Sequence, residues 1–270
     1  WAPTYAWVEI SSVGTDVGLT DQGWEQDDTN LVNLPFTFTY YGEDFTQVSI
    51  CSNGWIAMGA TDMVTYRNWT IPAAGNPNAM IAGFFDNLIL SASNRVYTWY
   101  DSDNGRFVIQ YNNLRNDYSD ATEKFEIILY DPSVWVTTTG DGPILMQYMT
   151  VGNTDARDGY ATAGITNLDG TDGLLYTYAA DYAPTAAVLQ SGRAILFQPI
   201  GDLALGTLQG TLTNSSNGGT PVGNVPVHLL ENNQTLLSAM DGHYAGSVQE
   251  GVYTARVDHE SFTTVTVNGV

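Results

Sequence analysis

A period of two runs through this sequence and constrains its fold more than any other feature. Apolar and polar residues alternate over short stretches, and the three-to-four spacing of an amphipathic helix is scarcely found. Residues 34–40 place Phe36, Phe38 and Tyr40 on one face of a strand, and Tyr41-Gly42-Glu43-Asp44 turns it into a second strand at 45–52. Asn53-Gly54 predicts a type I′ hairpin turn, because both central positions of that turn need positive φ, and the chain returns along 55–58. A second hairpin is expected from 95–100 and 106–111 around Asp101-Ser102-Asp103-Asn104-Gly105. Further strands are expected at 124–130, 144–151, 160–166, 174–178 and 194–198, with one short helix at 184–190. Many short strands separated by Gly, Asp and Asn predict an all-β chain: a large antiparallel β-sandwich over 1–200.

After residues 199–206, which read as a linker, the texture changes. Aromatic residues thin out and all three histidines appear. Six small strands are expected at 208–213, 225–230, 235–239, 244–248, 252–257 and 263–267. Residues 201–270 therefore predict a second, immunoglobulin-like or transthyretin-like sandwich. About seven strands are usual in such a module, so its last strand is expected to be missing.

Charge excludes several partners. Eight Lys and Arg stand against 29 Asp and Glu, a net charge of -21, and Lys124 is the single lysine. Such a surface repels nucleic-acid backbones and anionic lipid heads. No apolar run approaches the roughly 20 residues of a membrane span. The lone cysteine, Cys51, leaves no internal disulfide and no thiolate cluster. The chain starts at Trp1 without a signal peptide, as a mature product or part of a longer chain does. The sequons at Asn68, Asn214 and Asn233 add glycosylation candidates and point to an exported, extracellular or cell-surface protein.

Two stretches carry family resemblances. Gly206-Thr207-Leu208-Gln209-Gly210-Thr211-Leu212, Val225-Pro226-Val227, Asp241-Gly242-His243-Tyr244 and Gly251-Val252-Tyr253-Thr254 resemble the carboxypeptidase regulatory-like domain, a transthyretin- or CnaB-like sandwich. That resemblance implies a stalk or spacer without catalysis. Residues 1–200 resemble a β-sandwich region of large secreted bacterial proteins, found beside gingipain-like or subtilisin-like proteases. The matching segments include Leu34-Pro35-Phe36-Thr37-Phe38, Cys51-Ser52-Asn53-Gly54-Trp55, Ile81-Ala82-Gly83-Phe84-Phe85-Asp86 and Phe125-Glu126-Ile127-Ile128-Leu129-Tyr130-Asp131-Pro132. The region has a lesser likeness to the nidogen-type extracellular domain. These likenesses imply an extracellular accessory or structural sandwich.

Catalytic constellations are sparse. Residues 1–200 contain no histidine to activate a serine or Cys51, and His228, His243 and His259 lack metal or triad spacing. Asp86 and Glu126 are the best pair for a glycosidase, with structural roles as the alternative. Calcium is the expected cofactor if there is one. Asp101, Asp103 and Asn104 in one loop, and Asp169 and Asp172 in another, offer alternating oxygen ligands, which tight turns also require. Asp16, Asp21, Asp27 and Asp28 form a third acidic stretch. Trp55, Trp69, Trp99 and Trp135 are candidates for stacking on sugars, although Trp99 shares a strand face with Tyr97, as core residues do.

Three functions remain. The first is a non-enzymatic extracellular structural protein, a subunit or segment of a surface appendage that self-associates head to tail by β-strand contacts. Tyr5, Trp7, Val8 and Ile10 would belong to a donor strand, and Val265 and Val267 to an acceptor edge. The alternative for 5–10 is the first strand of its own sandwich. The second function is an adhesin-like, protein- or glycan-binding accessory module of a secreted enzyme. The third is a glycosidase.

Overall fold

A computed structural model describes residues 3–21, 26–153, 160–199, 205–230, 234–249, 252–259 and 262–269. The chain divides into two compact units, Ala2–Pro199 and Ile200–Val270.

The larger unit is two antiparallel sheets. One orders β1 (Thr15–Asp16), β7 (Val96–Asp101), β8 (Arg106–Asn116), β9 (Thr122–Tyr130), β10 (Ile144–Thr150) and β14 (Arg193–Phe197), with β6 (Leu88–Ile89) also on β8. The other orders β13 (Asp181–Tyr182), β12 (Gly173–Tyr178), β11 (Thr162–Thr166), β5 (Met80–Phe85), β4 (Trp55–Met58), β3 (Glu43–Cys51) and β2 (Thr29–Tyr40). Between them lies the main core, where Phe107, Tyr111, Phe125 and Tyr148 of the first sheet meet Phe38, Ile50, Ile81 and Phe84 of the second. Tyrosine hydroxyls tie the sheets together. Tyr111 donates to the carbonyls of Cys51 and Trp55 (both 2.9 Å), and Tyr148 donates to that of Gly83 at 2.6 Å. A side chain at Gly83 would press on Phe125 and Ile127.

Strand β5 is absent from the sequence reading for a physical reason. Met80-Ile81-Ala82-Gly83-Phe84-Phe85 is buried throughout, so it does not alternate. Ile81 and Phe84 enter the main core, while Met80, Ala82 and Phe85 join Trp55 and Ile71 in a second cluster on the sheet's other face.

Two local expectations are corrected. Asn53-Gly54 is not a type I′ turn: Gly54 has positive φ, Asn53 does not, and Ser49↔Ala57 and Ile50↔Ile56 pair around a longer loop. Asn53 is instead buried, accepting from the Leu88 N–H and donating to Asp27. Two-residue turns with both φ positive fall elsewhere: Tyr41-Gly42 closes Tyr40↔Glu43, and Ala179-Ala180 closes Tyr178↔Asp181. Residues 184–190 form no helix. They carry a turn at Ala183–Ala186 and extended chain that Tyr176 and Tyr182 hold through hydrogen bonds to Ala187 and Leu189.

In the smaller unit, β15 (Leu205–Thr211) pairs with β20 (His243–Gln249), and β19 (Gln234–Leu237), β18 (Pro226–Leu229), β21 (Thr254–His259) and β22 (Phe262–Asn268) form a four-stranded sheet. Short β16 (Thr213–Asn214) and β17 (Thr220–Pro221) pair around a 3-10 turn. Leu208, Tyr244 and Val248 pack on Val227, Leu229, Leu236 and Ala255 to make a separate core. The chain is all-β, as expected.

Candidate functional site

A partly apolar groove of the smaller unit lies beside β22. That strand pairs with β21 in the register Ala255↔Val267 and Val257↔Val265, and its other edge has no partner strand among the described residues. Ala255 is buried in the small core, yet Val265 and Val267 are 55% and 49% exposed. They line a groove of about 430 Å³ with Leu212, Val225, Tyr244 and Val257. Thr211, Thr213, Asn214, Ser215, Ser216 and His259 also line it, so core valines and polar groups share the groove.

Tyr5, Trp7, Val8 and Ile10 sit elsewhere. Residues 3–10 are extended but join no sheet ladder; they cross the outer face of the larger unit's first sheet. Ile10 is fully buried with Val108, Ile128 and Leu145, and Tyr5 and Val8 pack against this cluster with Tyr97 and Trp99. Three side chains on adjacent strands hold the segment's backbone. Gln147 accepts from the Ala6 N–H and donates to its carbonyl, Glu126 accepts from the Val8 N–H, and Gln110 accepts from the Ile10 N–H. These three are register partners across β10, β9 and β8. Lys124 adds an ion pair to Glu9 at 2.6 Å. Burial pushes the Glu9 carboxyl up, but hydrogen bonds from Lys124, Gln110 and Ser11 hold it well below the usual carboxylate range. Gln110 and Gln147 carry no signal in the sequence beyond being polar in strands that bury both faces.

The calcium loops are built as turns. Asp101 is buried, and its Oδ2 accepts from Arg106 at 2.7 Å and Asn104 at 2.8 Å. Burial opposes its ionisation, but those donors lower its pKa. Asp103 is exposed. In the second loop, Asp169 accepts from the backbone and hydroxyl of Thr171, and Asp172 accepts from the Gly173 N–H. No group of three or more Asp, Glu, His or Cys is placed to hold a metal among the described residues.

Asp86 and Glu126 have disjoint surroundings. Asp86 accepts from Asn116, Asn153 and the Asn87 N–H, while Glu126 lies under residues 3–10 and accepts from Gln147. Burial pushes Asp86 up to about 6 and Glu126 up to about 8. Glu123 is buried near Asp86, accepts from the Gly152 and Asn153 N–H groups, and is pushed up to about 7, chiefly by burial. Cys51 is buried and its thiol is pushed up to about 12, which makes it an inert packing group.

The three sequons differ. The Asn68 amide is buried and donates to the Tyr160 carbonyl and Thr162 hydroxyl, so the nitrogen a glycan would need is enclosed in the folded chain. Asn214 caps the 3-10 turn by accepting from the Ser216 N–H. Asn233 lies outside the described residues. Among the tryptophans, Trp55 is fully buried, Trp99 packs on the outer cluster, and Trp69 and Trp135 are 42% and 47% exposed.

A family model described as NIDO related matches residues 2–200, the whole of the two-sheet unit. The chain belongs to the NIDO-related family. No curated protein and no solved structure matches it. NIDO-related domains are not a family of enzymes, and membership fits an extracellular structural or accessory module. No helix among the described residues of this NIDO-related protein is long and apolar enough to cross a membrane.

Proposed function

We propose that this NIDO-related protein is a non-enzymatic structural subunit of a surface appendage or fibre, joined head to tail by a β-strand of a neighbouring copy added beside β22. One observation carries this reading: Val265 and Val267 lie on the core side of their sheet yet stay half exposed on an edge with free backbone groups. An added strand would pair with that backbone and set alternate side chains over the two valines. A head-to-tail contact of this kind builds an open filament unless the rotation closes. Residues 5–10 would serve as donor only after leaving the face that Gln110, Glu126 and Gln147 hold.

Sedimentation and electron microscopy over a concentration series test the reading. The protein is expected to form linear assemblies, and V265K with V267E is expected to abolish them while leaving melting unchanged. A version with a linker and a complementary strand fused after Val270 should remain monomeric. Equal assembly of all three proteins would sink strand addition at this edge.

A further inference from the structure

We propose that the larger unit binds an acidic sugar, a pyranose bearing a single carboxylate, in a pocket where Arg67 takes the carboxylate and Trp69 and Tyr118 pack on the ring. The proposal is independent of the assembly reading.

Among the described residues, Arg67 stands apart from the other cations of this acidic chain. Arg95, Arg106, Arg115, Lys124 and Arg256 each pair with a carboxylate, and Arg193 donates to the Val188 carbonyl. The guanidinium of Arg67 has no hydrogen-bond or ion-pair partner among the described residues, although acids outnumber bases 29 to 8. Asp117 and Asp120, which flank Tyr118, are both occupied by Arg115. Asp86 closes the pocket, but its oxygens already accept from Asn87, Asn116 and Asn153. A forked donor left open in this way matches a ligand carboxylate bidentately.

Aromatic residues make the walls. The cavity measures about 380 Å³ and is lined by Tyr66, Trp69, Tyr118 and Tyr178 around Arg67. That is within the roughly 300–1,000 Å³ of small-ligand pockets. Tyr66, Trp69 and Tyr118 are 41%, 42% and 58% exposed, so their ring faces are accessible. Trp7, Trp55 and Trp135 spend their indole N–H on protein oxygens; that of Trp69 has no protein acceptor among the described residues.

The pocket is held in shape before any ligand arrives. Asn68 is anchored to Tyr160 and Thr162, and the Trp69 carbonyl accepts from the Thr162 hydroxyl at 2.7 Å. Gly75 lies against the Trp69 indole, where a Cβ would come within 2.8 Å of Nε1. The Tyr118 and Ser119 N–H groups both donate to Asn116. The overall charge of -21 holds off polyanionic chains, which leaves a sugar with one terminal carboxylate as the fitting ligand.

The test is titration of the whole chain, by saturation-transfer NMR and tryptophan fluorescence, with oligosaccharides ending in glucuronate or sialate and with their carboxyl-reduced counterparts. Binding of at least one acidic sugar is expected, weakened about tenfold or more by carboxyl reduction, by R67A and by W69A. R67K should recover only part of the affinity, because it restores charge without the fork. Melting curves should show R67A folded, since Arg67 is exposed and its guanidinium has no partner among the described residues. Equal affinity for acidic and reduced sugars, binding indifferent to R67A, or no binding at millimolar sugar would each overturn the proposal.

Discussion

Gln147 Nε2 donates to Glu126 Oε1 at 2.6 Å across neighbouring strands, and the other oxygen of that carboxyl, Oε2, has no hydrogen-bond partner among the described residues. A proton on Oε2 breaks no bond, and a charge there is poorly solvated, so Glu126 stays protonated up to about pH 8. A carboxyl whose native pKa exceeds its unfolded value binds more protons folded than unfolded between the two. Stability therefore falls as pH rises through that window, here from about 4.5 to about 8. Glu123 and Asp86 act in the same direction, ending near 7 and 6. E126Q should thus gain stability over the parent as pH rises from 5 to 9, by about 1.4 kcal/mol for each pKa unit removed. Urea unfolding across that range measures it, and parallel curves for the two proteins would refute the assignment.

Arg106 occupies the carboxylate of Asp101 in the loop that most resembles a calcium site. The melting temperature is expected to be the same in calcium and in chelator. D101A should cost about 2 kcal/mol by stranding the partly buried Arg106 and the Asn104 amide. A rise in melting temperature with calcium that D101A removes would show that the ion displaces the arginine.

Gly42 and Gly54 have nearly the same φ, 80° and 79°, but different surroundings. Nothing lies within 4 Å of a Cβ at Gly42, while one at Gly54 would overlap the Phe84 carbonyl oxygen. G42A should cost only the left-handed penalty of about 1–2 kcal/mol. G54A should unfold the larger unit or cost several times more. Similar losses from thermal melts would mean the Gly54 loop can shift.

The clusters containing Phe84, Trp55 and Ile10 draw all their residues from the larger unit. A fragment of residues 2–199 is therefore expected to fold, with a cooperative melt and dispersed NMR spectrum. A molten or insoluble fragment would show that residues 200–270 complete it.

Alternation made Val96–Asp101 legible, and the Asp101–Gly105 turn signal then placed its hairpin partner Arg106–Asn116, although that strand is buried on both faces. It could not reveal β5, whose two faces are both covered, nor residues 3–10, whose alternating pattern suits a strand but whose partners are side chains rather than a neighbouring backbone. The Asn53-Gly54 pair misled because Asn53 serves Leu88 and Asp27, long-range partners that local turn chemistry does not encode. Trp69 was visible as an aromatic candidate, but the open state of Arg67 was not. It depends on where every other charge finds its partner.

The path of residues 3–10 across β10, β9 and β8 also sets how the larger unit would bear tension. Its backbone is fastened at Ala6, Val8 and Ile10 to three different strands. A pull applied at Pro3 meets those fastenings one after another, as in peeling tape, whereas a strand in a sheet ladder shares load among its bonds at once. The segment would therefore peel one fastening at a time and lengthen the molecule before the two sheets themselves part.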